Sequence, residues 1–167
     1  DFKPVSYARK FPDSKLVHRS YGPRGEMEVY ASSFFHFAPG LSDNASLSLT
    51  RTPRDAFLGL FVDGDGPVGI MRKLAPAEER YIDFLPMSAP YILLSSPDVL
   101  VLRLGGTAGI HTALHHGARS VRVVESNPDL IRVLRDDPVF RRYTGGILQD
   151  PRVHVTAGEV RAFAAAT

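Results

Sequence analysis

The chain has 167 residues, with 20 basic and 18 acidic side chains for a formal net charge of +2, and it contains no cysteine. The lack of cysteine excludes disulfides, thiolate nucleophiles and cysteine-ligated metals. No basic cluster alternates with aromatic residues, which argues against a nucleic-acid partner, and no segment reaches the roughly 18–20 uninterrupted apolar residues of a membrane span.

Residues 1–73 are expected to form a small antiparallel β domain. Its candidate strands come in two pairs, each bracketing a turn-forming cluster, and the Asp-Gly pairs of Asp63–Gly66 supply the positive φ of a tight turn. A polar loop is expected from Ala38 to Ser46. The candidate strands are residues 16–19 and 27–30, then 57–62 and 68–71.

Residues 74–96 are expected to be a helical connector. Proline and acidic residues at Pro76–Glu79 suit a first helical turn. Tyr81, Phe84 and Leu85 then fall on one helical face.

Residues 97–167 show the pattern of a nucleotide-binding βαβ unit. The apolar run Val99–Leu104 leads into the glycine turn Gly105–Gly109, and a second apolar run ends in Glu125. Glycines let a backbone approach a nucleotide closely, and an acid at that spacing accepts hydrogen bonds from ribose hydroxyls. The pattern predicts an adenosine-type ligand.

Helix signals in this region are specific. The first helix is predicted from Ala108 to His116, ending at Gly117, and the next begins at Asn127-Pro128, with Asn as the cap and Pro in the first position. Residues 153–156 are the third candidate strand, followed by a short helix from Glu159.

Three strands with two connecting helices are half of a doubly wound sheet. The continuously apolar run Val99–Leu104 is expected to be covered on both faces and paired on both edges. One edge has no partner strand in the sequence, which makes it an association hazard. Together with a start that lacks Met, this favours a truncated piece of a longer protein.

Several residues have a plainer interpretation beside the functional one. The glycine turn also suits a simple strand-to-helix turn, and Glu159 also suits the start of a helix. Arg103 either marks a strand end or pairs with an acid outside this chain. His111, His115 and His116 are interpreted as helix-end histidines rather than metal ligands, because a zinc site needs three suitable ligands and an open position. No metal is therefore expected.

Motifs in this order and spacing resemble those of the polyamine aminopropyltransferase (spermidine synthase) family. The family's glycine motif is matched by Gly105–Gly109, and its Val-Glu-x-Asp-Pro segment by Val124–Pro128. Its Asp-Pro-Arg-Val segment, followed later by Gly-Asp, is matched by Asp150–Val153 and by Gly158-Glu159. Upstream, Phe61–Gly64 is similar to the family's Leu-Asp-Gly hairpin.

The resemblance implies a small N-terminal β domain ahead of a Rossmann-like half of the class I methyltransferase type. It also implies decarboxylated S-adenosylmethionine, or S-adenosylmethionine, as co-substrate, and no tightly bound cofactor. Glu125 would hold the ribose, Glu159 would lie near the adenine, and Tyr81 and Asp83 would line the polyamine side. The glycine turn would contact the nucleoside through Gly105, Gly106, Thr107 and Gly109.

Departures from the family bear on catalysis. Ala108 stands where the family has an acid in the glycine motif, and the family's catalytic acids would lie beyond Thr167. Aminopropyl transfer needs a base and carboxylates that stabilise cations. The chain is therefore expected to bind better than it catalyses, and no catalytic residue is assigned.

Three functions remain open on the sequence: an aminopropyltransferase-like domain for a nucleoside and a polyamine, a non-catalytic nucleoside-binding module, and an S-adenosylmethionine-dependent methyltransferase. The second is favoured by Ala108, and the third is disfavoured by Arg103. The family's habit of dimerising suggests a homodimer. A cytoplasmic location is expected, and the family includes long bacterial proteins that attach such a domain to a membrane region.

Overall fold

The computed structural model describes residues 2–35 and 53–165. These residues form a four-stranded antiparallel sheet and a three-stranded parallel sheet, flanked by helices. The predicted α/β fold, with a β-hairpin part followed by a Rossmann-like part, is confirmed.

Two hairpins build the antiparallel sheet, in the strand order β1-β2-β3-β4. Asp63 and Gly64 both have positive φ, 51° and 78°, and β4 already begins at Asp65, so the turn is shorter than the predicted Asp63–Gly66. The predicted loop Ala38–Ser46 lies outside the described residues. The strands are β1 (Lys15–Gly22), β2 (Gly25–Ala31), β3 (Phe57–Val62) and β4 (Asp65–Met71), preceded by α1 (Pro4–Ala8).

The connector contains less α-helix than its sequence predicts. It holds only the single turn α2 (Arg80–Asp83), followed by the 3-10 helix η1 (Pro86–Leu93). Pro86 explains where α2 ends, because the residue before a proline is pushed out of the helical region, and Leu85 has the extended angles φ −72° and ψ 135°. Tyr81 and Leu85 are both buried.

The parallel sheet has the order β5-β6-β7, and its helices begin and end close to the predicted positions. Asn127 accepts hydrogen bonds from the N–H groups of Asp129 and Leu130, and Gly117 has a φ of 72° just after the preceding helix. In the described part of the chain, no helix is long and apolar enough to cross a bilayer. The elements are β5 (Asp98–Leu102), α3 (Ala108–His115), β6 (Ser120–Glu125), α4 (Pro128–Asp136), α5 (Pro138–Tyr143), the 3-10 helix η2 (Ile147–Gln149), β7 (Val153–Ala157) and α6 (Val160–Ala165).

Within the described residues, the strand at Val99–Leu104 has one unpaired edge, as the lack of a partner strand in the sequence predicts, but the expected cover on both faces is not found. In that part of the chain, β5 is an edge strand that pairs only with β6. Leu100 and Leu102 are 40% and 47% exposed on one face. The strand also ends at Leu102, and Arg103 follows with a φ of 74°, so Arg103 marks a strand end.

The two sheets share one hydrophobic core. Its largest cluster combines Val29, Leu60 and Ile70 of the antiparallel sheet with Ile110 of α3 and Val123 of β6. A backbone hydrogen bond also joins the two parts of the chain. The N–H of Lys73, just after β4, donates to the carbonyl of Tyr143, at the end of α5, at 2.9 Å. The hairpin part is therefore packed directly against the helices of the Rossmann-like part.

Candidate functional site

Glu125 lies at the carboxyl end of the central parallel strand, beside the glycine turn. Leu102 pairs with Val124 and Glu125 with Ala157, so the three strands end at one edge. Because parallel strands of an open α/β sheet present ligands to their carboxyl ends, this edge is the candidate functional site.

Glu125 is a buried residue, only 5% exposed. Its carboxylate accepts two short and two long hydrogen bonds. Its Oε2 accepts from the N–H of Leu104 at 2.9 Å and from that of Gly105 at 3.4 Å. Its Oε1 accepts from the N–H of Asn127 at 2.7 Å and from the hydroxyl of Ser126 at 3.4 Å. Each oxygen thus has one strong backbone partner and one weak partner.

The glycine turn is shaped by close packing against β4. Gly105 has a φ of 50°, and a Cβ at Gly106 would overlap the carbonyl oxygen of Gly69. A Cβ at Gly109 would lie 3.6 Å from Val101 Cγ1, which is an ordinary contact. One side of the turn is therefore filled by the backbone of β4, a neighbour that the sequence did not reveal.

Thr107 fastens this turn to the antiparallel sheet. Its side chain is fully buried, and its hydroxyl donates to the Met71 carbonyl at 2.9 Å and accepts from the Met71 N–H at 3.0 Å. The hydroxyl therefore satisfies both backbone groups of Met71. No local sequence pattern indicates this role, and a nucleoside contact of Thr107 stays a prediction.

Glu159 lies at the same edge of the sheet as Glu125. It follows β7 by two residues, and the N–H of Gly158 donates to the Glu125 carbonyl at 2.9 Å. The Glu159 carboxylate is 61% exposed and pairs with Arg24 from the turn between β1 and β2. The structure thus brings the two predicted acids to one edge, together with an arginine that sequence reasoning missed.

Tyr81 and Asp83 both lie on α2, in the connector. Tyr81 is 3% exposed in a cluster with Met71 and Leu85, and burial raises its pKa to about 12. Asp83 Oδ1 lies 2.9 Å from Nε2 of His115, the last residue of α3. The glycine turn precedes the first residue of that helix, roughly 10 Å away at 1.5 Å per residue. Asp83 therefore lies at the far end of α3 from the glycine turn, whereas the cluster that holds Tyr81 also contacts Ala108, beside that turn.

A cavity of about 360 Å³ lies between α3 and the segment around η2. Lys73, Glu79, His111 and Arg152 are among its lining residues. Burial lowers the pKa of His111 to about 4, against an opposing hydrogen bond to the Met71 backbone. Its Nε2 is buried and finds no hydrogen-bond partner in the described part of the chain. A neutral imidazole therefore faces the interior at neutral pH.

Comparisons with known proteins find similar solved structures but no similar sequence family. No protein-family model and no curated protein matches the chain. The spermidine synthase of Thermotoga maritima matches with a TM-score of 0.55 and 13% identity, over 91% of this chain and 44% of that chain. A spermidine synthase in complex with the transition state analogue AdoDATO matches with a TM-score of 0.50 and 14% identity, over 86% of this chain and 40% of that one.

These matches bear on the fold. The chain spans less than half the length of either solved structure, and the identities are low. The antiparallel sheet followed by a Rossmann-like half is common to them. The chain therefore has a spermidine synthase-like fold.

Proposed function

We propose that this chain binds an adenosine-type nucleoside at the carboxyl edge of its parallel sheet, as an aminopropyltransferase-like domain. Decarboxylated S-adenosylmethionine and its thioether product methylthioadenosine are the proposed ligands. The observation that carries the proposal is the carboxylate of Glu125, held at the end of β6 directly against the glycine turn.

The hydrogen bonds of Glu125 suit a vicinal diol. A carboxylate has about four lone-pair positions, and the two short bonds, from Leu104 and Asn127, use one on each oxygen. The two 3.4 Å contacts are weak and are easily exchanged for better donors. A ribose offers two adjacent hydroxyl donors, one for each oxygen.

The chemistry of aminopropyl transfer sets a further requirement. The amine nitrogen attacks the carbon bonded to the sulfonium, the C–S bond breaks with its electron pair going to sulfur, and the ammonium loses a proton to a base. We assign the nucleoside-binding step to this chain and leave the base unassigned. The predicted polyamine contacts of Tyr81 and Asp83 stay predictions, and of the two residues Asp83 lies at the far end of α3 from the glycine turn.

A non-catalytic nucleoside-binding module is the second candidate. It is favoured by Ala108, which supplies no carboxylate at the first residue of α3, beside the glycine turn. Release of methylthioadenosine from decarboxylated S-adenosylmethionine in the presence of a diamine distinguishes the two. Turnover supports the transferase, and binding without turnover supports the module. Tighter binding of S-adenosylmethionine than of its decarboxylated form would instead favour the methyltransferase.

Isothermal titration with methylthioadenosine tests the binding proposal. We expect saturable 1:1 binding by the unaltered chain and a loss of about 1.5–3 kcal/mol in Glu125→Gln, the range for hydrogen bonds to charged groups. Glutamine keeps one acceptor oxygen for the backbone N–H groups, so it disturbs the turn less than alanine does.

The matched control is Asp98→Asn, which changes a carboxylate at the opposite end of the same sheet. Asp98 pairs with Arg119 and Ser120 at the start of β5 and β6. Its substitution should leave the dissociation constant of methylthioadenosine unchanged. No heat with folded protein at millimolar nucleoside, or equal losses in both variants, would refute the proposal.

A further inference from the structure

Two adjacent histidines and an aspartate meet at the carboxyl end of α3. Asp83 Oδ1 lies 2.9 Å from Nε2 of His115 and 3.9 Å from Nε2 of His116. One ligand atom from each of the three side chains lies within 4.8 Å of the others. Because Asp83 comes from α2, 32 residues before His115, the sequence alone gave no sign that a third donor joins the histidines.

We propose that Asp83, His115 and His116 form a binding site for a divalent metal of the zinc type. Two imidazoles and one carboxylate are a donor set that Zn²⁺ accepts, with a fourth position left for water. Magnesium and calcium prefer sets built from oxygen alone. The site is independent of the proposed nucleoside site, which lies at the other end of α3.

The distances fit tetrahedral coordination after small movements. Zinc bonds of about 2.0–2.1 Å imply ligand atoms about 3.4 Å apart in a tetrahedron. The separations of 2.9, 3.9 and at most 4.8 Å lie on both sides of that value. The Asp83 carboxylate is 49% exposed and is therefore free to adjust.

The state of His116 points to a ligand. Its Nε2 is buried and has no hydrogen-bond partner among residues 2–35 and 53–165, although the Asp83 oxygen is 3.9 Å away. Its ring stacks on Tyr91, with centroids 4.9 Å apart and planes 13° from parallel, so its direction is fixed. Leaving a buried ring nitrogen without a partner costs free energy. A metal bound between Asp83 and His116 would give this nitrogen a partner.

His115 has a carboxylate near its second ring nitrogen, although not within hydrogen-bond distance. Its Nε2 faces Asp83, and its Nδ1 lies 3.9 Å from Oε2 of Glu79. Histidine ligands commonly donate their second N–H to a carboxylate, which fixes the tautomer and the ring direction. A bound metal would thus tie the connector, through α2, to the end of α3.

Zinc titration by calorimetry tests the proposal on chelator-treated protein. We expect one Zn²⁺ per chain, with Asp83→Asn and His116→Ala each weakening binding at least about tenfold, and Glu79→Gln weakening it by about tenfold through orientation of His115. The control is His154→Ala, which removes an exposed histidine on β7 and should leave the affinity unchanged.

A second readout uses Co²⁺, whose visible absorption reports coordination by protein ligands. The unaltered chain and His154→Ala should show the same cobalt spectrum, and Asp83→Asn should lose it. Asp83 is half exposed, so this variant tests the site even if His116→Ala fails to fold. Absence of Zn²⁺ binding, or an affinity unchanged in Asp83→Asn, would overturn the proposal and leave an ordinary ion pair at a helix end.

Discussion

His111 places a titratable ring in the interior, beside the cavity and next to β4. Its pKa is lowered from 6.5 to about 4 mainly by burial, with Lys73 acting in the same direction. In the unfolded chain His111 is therefore protonated below about pH 6.5, whereas in the folded chain it is protonated only below about pH 4. By linkage, folding stability falls as the pH drops through this window.

We predict that His111→Phe removes this loss. Between pH 7 and pH 4.5 the unaltered chain should lose about 2–3 kcal/mol more free energy of unfolding than the variant, from about 1.4 kcal/mol per pH unit. Urea unfolding at both pH values measures the difference. The carboxylates titrate equally in the two proteins, so an identical pH dependence would contradict the role given to His111.

Thr107 lies in the glycine turn, but its side chain serves to hold the Met71 backbone of β4. We predict that Thr107→Val lowers the free energy of unfolding by about 2–3 kcal/mol, because the Met71 N–H and carbonyl then lose their buried partner. Thr107→Ser keeps the hydroxyl and should lose markedly less. Denaturant unfolding of the two variants measures the effect, and equal losses would show that the hydroxyl bonds contribute little.

The role of a single residue could be predicted when its partners lie close to it along the chain. Glu125 and the glycine turn were predictable, since strand ends, glycines and an acid follow a spacing along the chain. The pairs Thr107–Met71, Arg24–Glu159 and Asp83–His115 were not, because each joins residues 32 or more positions apart with no periodic pattern. The expected absence of a metal stays a prediction, which the site proposed at Asp83, His115 and His116 puts to the test.

Helices and strands were predictable where a local signal begins or ends them. The asparagine cap at Asn127, the glycine after α3 and the two hairpins all occur where expected. The structure of the connector was not predictable, because its acidic side chain at Glu78 forms contacts that the sequence pattern does not show. Glu78 pairs with Arg72 and accepts from the Ala75 N–H, which holds a turn and not the first turn of a helix.

The burial of β5 was overestimated because hydrophobicity alone does not show which neighbours exist. Its residues alternate in exposure, with Asp98, Leu100 and Leu102 outward and Val99 and Val101 half-buried. An alternating pattern of this kind belongs to a strand with one uncovered face. The apolar run predicted the strand, and the lack of a partner strand in the sequence predicted its open edge, but neither predicted the uncovered face.

The molecule as a whole combines a shared core with an uncovered apolar face. Val29 and Ile70 from one sheet and Val121 and Val123 from the other are all fully buried in one cluster. The two sheets therefore contribute side chains to the same core. Leu100 and Leu102 lie on the edge strand β5 and are 40% and 47% exposed, a combination of open edge and apolar surface that favours association.

We predict that the chain associates through this face. Its sedimentation coefficient should rise with concentration, and Leu102→Lys should suppress the rise by placing a charge on the apolar face. Val139→Lys is the matched control, since Val139 is 58% exposed on α5 at another surface. Equal association of Leu102→Lys and the unaltered chain would place the contact elsewhere.

The central claim is that the carboxylate of Glu125 recognises the two ribose hydroxyls. The most direct measurement compares the dissociation constants of methylthioadenosine and its 2′-deoxy analogue in the unaltered chain and in Glu125→Gln. We predict that loss of the hydroxyl weakens binding about tenfold or more in the unaltered chain and much less in the variant, because the lost bond is to a charged group. An equal effect of the missing hydroxyl in both proteins would contradict the account.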